Sequence, residues 1–74
     1  MREKLIQART TSGLSVRDIA QTIGLSTRYY HYIEAGERTG KYEIWVKLSA
    51  IFGIPQDILR LNTVRIADGE GKNN

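Results

Sequence analysis

The apolar positions of this chain recur at helical spacing in short runs, each closed by glycine or by poor helix formers. In residues 2–11 the inward candidates are Leu5, Ala8 and Ile6, and Thr10, Thr11, Ser12 and Gly13 end the run. Ser15 opens a second pattern at Val16, Ile19, Ala20 and Ile23, and Gly24 closes it, where a left-handed backbone is easiest for glycine. Asp18, three residues after Ser15, forms a near capping box and sits favourably against the helix dipole. After only Leu25, Ser26 is placed to cap a third helix over 26–35 that ends at Gly36. The spacing predicts two short helices, 15–22 and 26–35, joined by a sharp turn.

The second half follows the same rule with a surplus. Residues 37–41, ERTGK, read as a polar, basic loop. A fourth helix over 42–52 carries Tyr42, Ile44, Trp45, Leu48, Ile51 and Phe52. At about 100° per residue these cover roughly half the circumference, more than one buried stripe requires. Gly53 ends that helix, Ile54 follows as an apolar anchor, and Pro55 suits the first position of a fifth helix running to about residue 61. Residues 63–67, TVRIA, alternate and are β-branched; they form either a frayed extension or a short strand able to pair with its copy in a second subunit. Residues 68–74, DGEGKNN, are polar and read as disordered. The expectation is an all-α domain of five helices over 1–62, with a tail at 63–74.

Composition narrows the classes. A chain of 74 residues without cysteine has neither a disulfide framework nor a thiolate metal site, so packing alone must hold it together. No run approaches the roughly 20 apolar residues that span a bilayer, and MREKLIQAR lacks the apolar core of a secretory signal, so a cytoplasmic protein without membrane association is expected. The net charge of +3 is unevenly placed: residues 1–47 hold eight Lys/Arg against five Asp/Glu, whereas 48–74 hold three of each. The cationic excess therefore accompanies the two short helices, as a polyanionic partner would require.

The third helix carries the candidate chemistry. With Tyr30 facing inward, Ile33 shares its face, while Arg28 and Tyr32 lie roughly 160–200° away. Tyr30 is thus a core residue whose hydroxyl needs a partner or an exit to water, and Tyr29 lies at the edge of the outer face. Thr27, Arg28, His31 and Tyr32 form a polar surface suited to reading nucleic acid. One histidine, no cysteine and no clustered acids leave no metal site, no cofactor and no nucleophile–base pair, so no enzyme is expected.

Several spaced elements then agree with a known family. Gly13-Leu14-Ser15, Ile19-Ala20, Ile23-Gly24-Leu25-Ser26, Ile33-Glu34, Gly36, Leu48 and Phe52-Gly53-Ile54 stand in order and at interval. From Leu5 through Leu61 the chain resembles the phage repressor and Cro-type helix-turn-helix domains, the xenobiotic-response-element family. The resemblance implies a compact, five-helix lambda-repressor-like fold in which helices 2 and 3 form the helix-turn-helix. It also implies an ion pair between Arg9 and Glu34, bridging the first and third helices. Val16 stands where the family often has Gln, which removes one phosphate or bracing contact. Gly40 and Lys41 replace the usual loop residues, with Arg38 and Lys41 still supplying cations.

On this resemblance the third helix enters the major groove. Arg28 is placed to bond guanine O6 and N7; Thr27, Tyr32 and His31 complete the base-reading set, and a protonated His31 would also strengthen phosphate binding. Ser15, Arg17, Ser26, Tyr29, Arg38 and Lys41 are the phosphate candidates. Ile44, Ile51, Ile58 and Leu61 are the surplus apolar positions expected at a homodimer interface, matched to a palindromic operator. The implied function is a sequence-specific double-stranded DNA-binding transcriptional regulator, a repressor because so small a domain has little room to recruit polymerase. The alternative is a protein-interaction or antitoxin-type module on the same fold, with a protein partner.

Overall fold

The computed structural model describes residues 1–62, so the strand or extension expected at 63–67 and the disorder expected at 68–74 lie outside the described residues. The five helices are α1 (Glu3–Thr11), α2 (Val16–Ile23), α3 (Thr27–Ala35), α4 (Tyr42–Phe52) and α5 (Gln56–Leu59), with no strand among the described residues. The all-α, five-helix expectation holds.

Capping explains the boundaries of the central pair. Ser15 Oγ accepts from the Asp18 amide at 3.0 Å, and the Asp18 carboxylate accepts from the Ser15 amide at 3.1 Å, a reciprocal box that fixes the start of α2. Ser26 Oγ accepts from the Tyr29 amide at 3.1 Å and starts α3. Between them Gly24 turns left-handed at φ 79°, and the Leu25 amide returns to the Ala20 carbonyl at 2.9 Å. A side chain there would be strained, so the sharpness of this turn is written in one glycine.

The core gathers one face from every helix: Leu5 and Ala8 of α1, Ile19, Ala20 and Ile23 of α2, Tyr30 and Ile33 of α3, Ile44, Trp45 and Leu48 of α4, and Leu59 of α5. Each large apolar side chain so buried contributes about 1.5–3 kcal/mol. Ala20 is fully buried on α2; a methyl group there lets α2 and α3 approach closely.

The first three helices each start one residue later than expected and α2 ends one later, at Ile23, but the larger differences lie in α5. Pro55 caps α5 from outside, in extended backbone at ψ 143°, and is not its first helical residue. The helix is also only 4 residues long and ends at Leu59, because the Leu61 amide tightens onto the Ile58 carbonyl at 3.3 Å instead of continuing the α pattern.

The apolar surplus of α4 resolves by position on the arc. Its middle, Trp45 and Leu48, is fully buried, while its two edges, Tyr42 and Ile51, stay 67% and 39% exposed. Ile44, expected among the interface residues, is instead core at 7% exposure. Ile44 joins the core cluster and packs closely on Gly40, where a Cβ would stand 3.0 Å from Ile44 Cδ1 and 3.2 Å from Ile33 Cδ1.

Candidate nucleic-acid interface

The outer face of α3 is set by what its inner face must bury. Tyr30 and Ile33 are fully buried, and the helix therefore turns Thr27, Arg28 and His31 to solvent, with Tyr32 half-buried beside them. The Arg38 guanidinium lies over the Tyr32 ring at 5.9 Å from its centroid, so a predicted phosphate contact and a predicted base reader form one cation–π unit. Sequence spacing gave no sign of this, since the two residues belong to different segments.

Around that helix the other candidates divide. Arg17, Arg38 and Lys41 are exposed cations. Ser15 and Ser26 are exposed, but each hydroxyl oxygen already accepts an amide, leaving only its proton to offer a phosphate. The box also brings the Asp18 carboxylate to the start of α2, where its bond from the Ser15 amide holds it below the usual aspartate value. At the start of α2 the Ser15 and Asp18 amides are thus occupied, and a negative charge stands beside them. Tyr29 is half-buried in an open groove with Ile23, Leu25, Ile44, Lys41 and Lys47, so its ring packs on the flank of α2 and its turn.

The recognition-face helix is anchored from beneath. Arg9 Nε donates to Glu34 Oε2 at 2.5 Å and Nη2 to Oε1 at 3.3 Å, while Nη1 reaches the Leu14 carbonyl at 2.9 Å. The carboxylate bond raises the Arg9 guanidinium above its ordinary value, outweighing the opposing effect of burial. This fork ties α1, the loop before α2, and α3 into one block. Tyr30 stands next to the pair with its hydroxyl buried and with no partner in full hydrogen-bond geometry; burial first, and then the Glu34 carboxylate through its charge and its nearness to the hydroxyl, push its phenol far above the usual range.

A search of family models matches residues 1–61 to the helix-turn-helix domain. The chain belongs to the helix-turn-helix domain family. The match spans all five helices and agrees with the resemblance to repressor and Cro-type domains. No curated protein and no solved structure matches the chain significantly. The domain type is that of DNA-binding regulators, and no described helix is long and apolar enough to cross a membrane.

Within this helix-turn-helix domain, three structural contributors escaped sequence reasoning. Arg2 is buried, although it looks like a solvated helix-start charge. Leu59, fully buried, is the anchor of α5, where the sequence drew attention to Ile58 and Leu61 instead. Trp45 donates its indole N–H to the Thr39 carbonyl at 2.7 Å and so holds the loop between α3 and α4. The apolar period of α5 could have found Leu59; nothing local could have found the loop bond.

Proposed function

We propose that this helix-turn-helix domain is a sequence-specific double-stranded DNA-binding transcriptional repressor that inserts α3 into the major groove as a dimer. The observation that carries it is the outward face of α3, with Thr27, Arg28 and His31 turned to solvent beside the half-buried Tyr32, and Arg17, Arg38 and Lys41 exposed on flanking segments. Arg28, in the first turn, bonds O6 and N7 of a guanine; Thr27 and Tyr32 meet neighbouring bases, and His31 adds a donor. Arg17, Arg38, Lys41, Ser15, Ser26 and the Tyr29 edge meet the sugar-phosphate backbone. Repression then follows from occupancy of the operator.

Dimerisation is supported by the exposed apolar side chains of α4 and α5. Ile51, Ile58 and Leu61 are 39%, 40% and 52% exposed, three large apolar side chains at the surface of α4 and of the α5 segment packed on it. A two-fold arrangement would set two copies of α3 about one helical turn apart on a palindrome. Tyr42 and Val46, also exposed on α4, favour a second reading in which the same fold docks a protein partner.

Selection of binding sites from random duplexes, followed by anisotropy titration over a salt series, tests the first reading. With about six phosphates neutralised per dimer, affinity falls as roughly the fifth power of salt concentration. Absence of any enriched sequence, with weak binding to all duplexes, sinks it. Sedimentation that finds a monomer at high micromolar concentration, with and without the selected duplex, sinks the dimer.

A further inference from the structure

Among the described residues, the two buried charged side chains are Glu34 and Arg2. Glu34 has Arg9. Among the described residues no carboxylate holds Arg2: its Nη1 donates to the Ile33 carbonyl at 2.6 Å and to the Arg38 carbonyl at 2.9 Å, and its Nε to the Arg60 carbonyl at 3.2 Å. Its own amide donates to the Glu34 carbonyl at 2.8 Å. The guanidinium lies over the Trp45 ring, 5.1 Å from the centroid.

These bonds have a common direction. The carbonyls of Ile33 and Glu34 belong to the last turn of α3; that of Ile33 also takes the Gly36 amide at 3.1 Å, and a cation there suits the negative end of the helix dipole. The Arg38 carbonyl belongs to the loop that follows. Next to it, the Thr39 carbonyl is taken by the Trp45 indole at 2.7 Å. Two consecutive loop carbonyls are thereby drawn inward onto one stacked Arg–Trp unit.

We infer that Arg2 is a positioning residue for the DNA-binding face: it fixes the end of α3 to the 37–41 loop, and so sets where Arg38 stands relative to the base-reading residues. This rests on the proposed DNA-binding function. The Arg38 guanidinium already lies over Tyr32, so a loop that shifts carries away both a phosphate contact and the brace on a base reader. Lysine at position 2 keeps the charge but not the planar fork, and cannot serve three carbonyls on two sides while stacked.

The test compares wild type, Arg2→Lys, Arg38→Gln and the double variant, after urea titration establishes that each is folded. Two measurements are read: amide exchange of Glu37 and Arg38, which bond the Tyr32 carbonyl, and anisotropy with the selected duplex over a salt series. Arg2→Lys is expected to speed exchange of those two amides, while Leu25, in the turn between α2 and α3, is unchanged. Its affinity falls about tenfold, with the salt slope smaller by about one per protomer and the preferred sequence kept. In the Arg38→Gln background it adds little further. Unchanged exchange at Glu37 and Arg38 overturns the inference whatever the DNA result. So does a folded Arg2→Lys with the wild-type salt slope, or full additivity with Arg38→Gln. If wild type itself selects no duplex, the functional reading fails, and the exchange measurement alone decides the loop.

Discussion

Replacing one partner of the Arg9–Glu34 fork should nearly unfold the domain, while replacing both should not. The two side chains are only 14% and 6% exposed, so both have given up most of their hydration, and their contact at 2.5 Å largely offsets that loss. Glu34→Leu leaves Arg9 with the Leu14 carbonyl as its single acceptor. Arg9→Met leaves the more deeply buried carboxylate unpaired and strips the Leu14 carbonyl as well. Each should cost about 3–5 kcal/mol. A folded unit of about 60 residues has a total stability of about 3–9 kcal/mol, so either variant should be largely unfolded at modest urea. The double variant Arg9→Met/Glu34→Leu strands no charge and leaves only the Leu14 carbonyl without its bond, so it should lie within about 1–3 kcal/mol of wild type. Urea titration followed by helical circular dichroism and by Trp45 fluorescence measures all four corners of the cycle. A Glu34→Leu cost below about 1 kcal/mol would show that the pair is effectively solvated. A double variant as unstable as the two singles summed would show that the charges do not act as a pair, and either result refutes the reasoning.

Other perturbations probe separate links. Tyr30→Phe removes a buried hydroxyl with no hydrogen-bond partner, so stability should be unchanged or should rise by up to about 1 kcal/mol; a loss above that in urea titration would mean the hydroxyl is bonded in solution. Arg28→Ala should relax selection at one guanine position, at about 1–3 kcal/mol of discrimination; uniform weakening with the selected site unchanged would make Arg28 a phosphate anchor. The capping bond from Ser15 lowers the Asp18 carboxyl below 3.8. Its stabilising effect is therefore complete above that value and disappears as pH falls through the lowered folded value. In an acid titration Asp18→Asn should lack this component, and at neutral pH it should bind duplex severalfold more tightly by removing a negative charge beside the α2 end. Gly24→Ala, at φ 79°, should cost about 1–2 kcal/mol in the same urea assay, and no loss would mean that the turn tolerates another backbone.

Much of the fold was legible because its signals are local. The Ser15–Asp18 box, the Ser26 cap and the left-handed glycines at positions 24, 36 and 53 each act within a few residues of themselves, and they place five helix ends. The inward set of α2 and α3 follows from period alone. The α4 surplus was legible as a surplus, but which of its residues would be buried depended on a neighbour in another segment. The Ile44 side chain packs into the core and against the bare backbone of Gly40, whereas Ile51 stays on the surface. Likewise the candidate readers on α3 could be named from helical angle, whereas the stacking of Arg38 on Tyr32 joins residues from a helix and the loop beyond it.

By itself, then, the sequence determined the number of helices, the turn between α2 and α3, and the polar face that α3 turns outward. Caps, glycines and periodicity are short-range, and each is satisfied by the chain near it. Only the tertiary structure decided how that face is held. Arg9 reaches across 25 positions to Glu34, and Arg2 across 31 to Ile33. A charged side chain in sequence gives no sign of whether it will meet water or the carbonyls at the end of a distant helix, because that depends on which segments fold over it. Arg2 and Trp45 became a brace for the loop only once α1, α3 and α4 had enclosed them and removed the water that would otherwise have satisfied both.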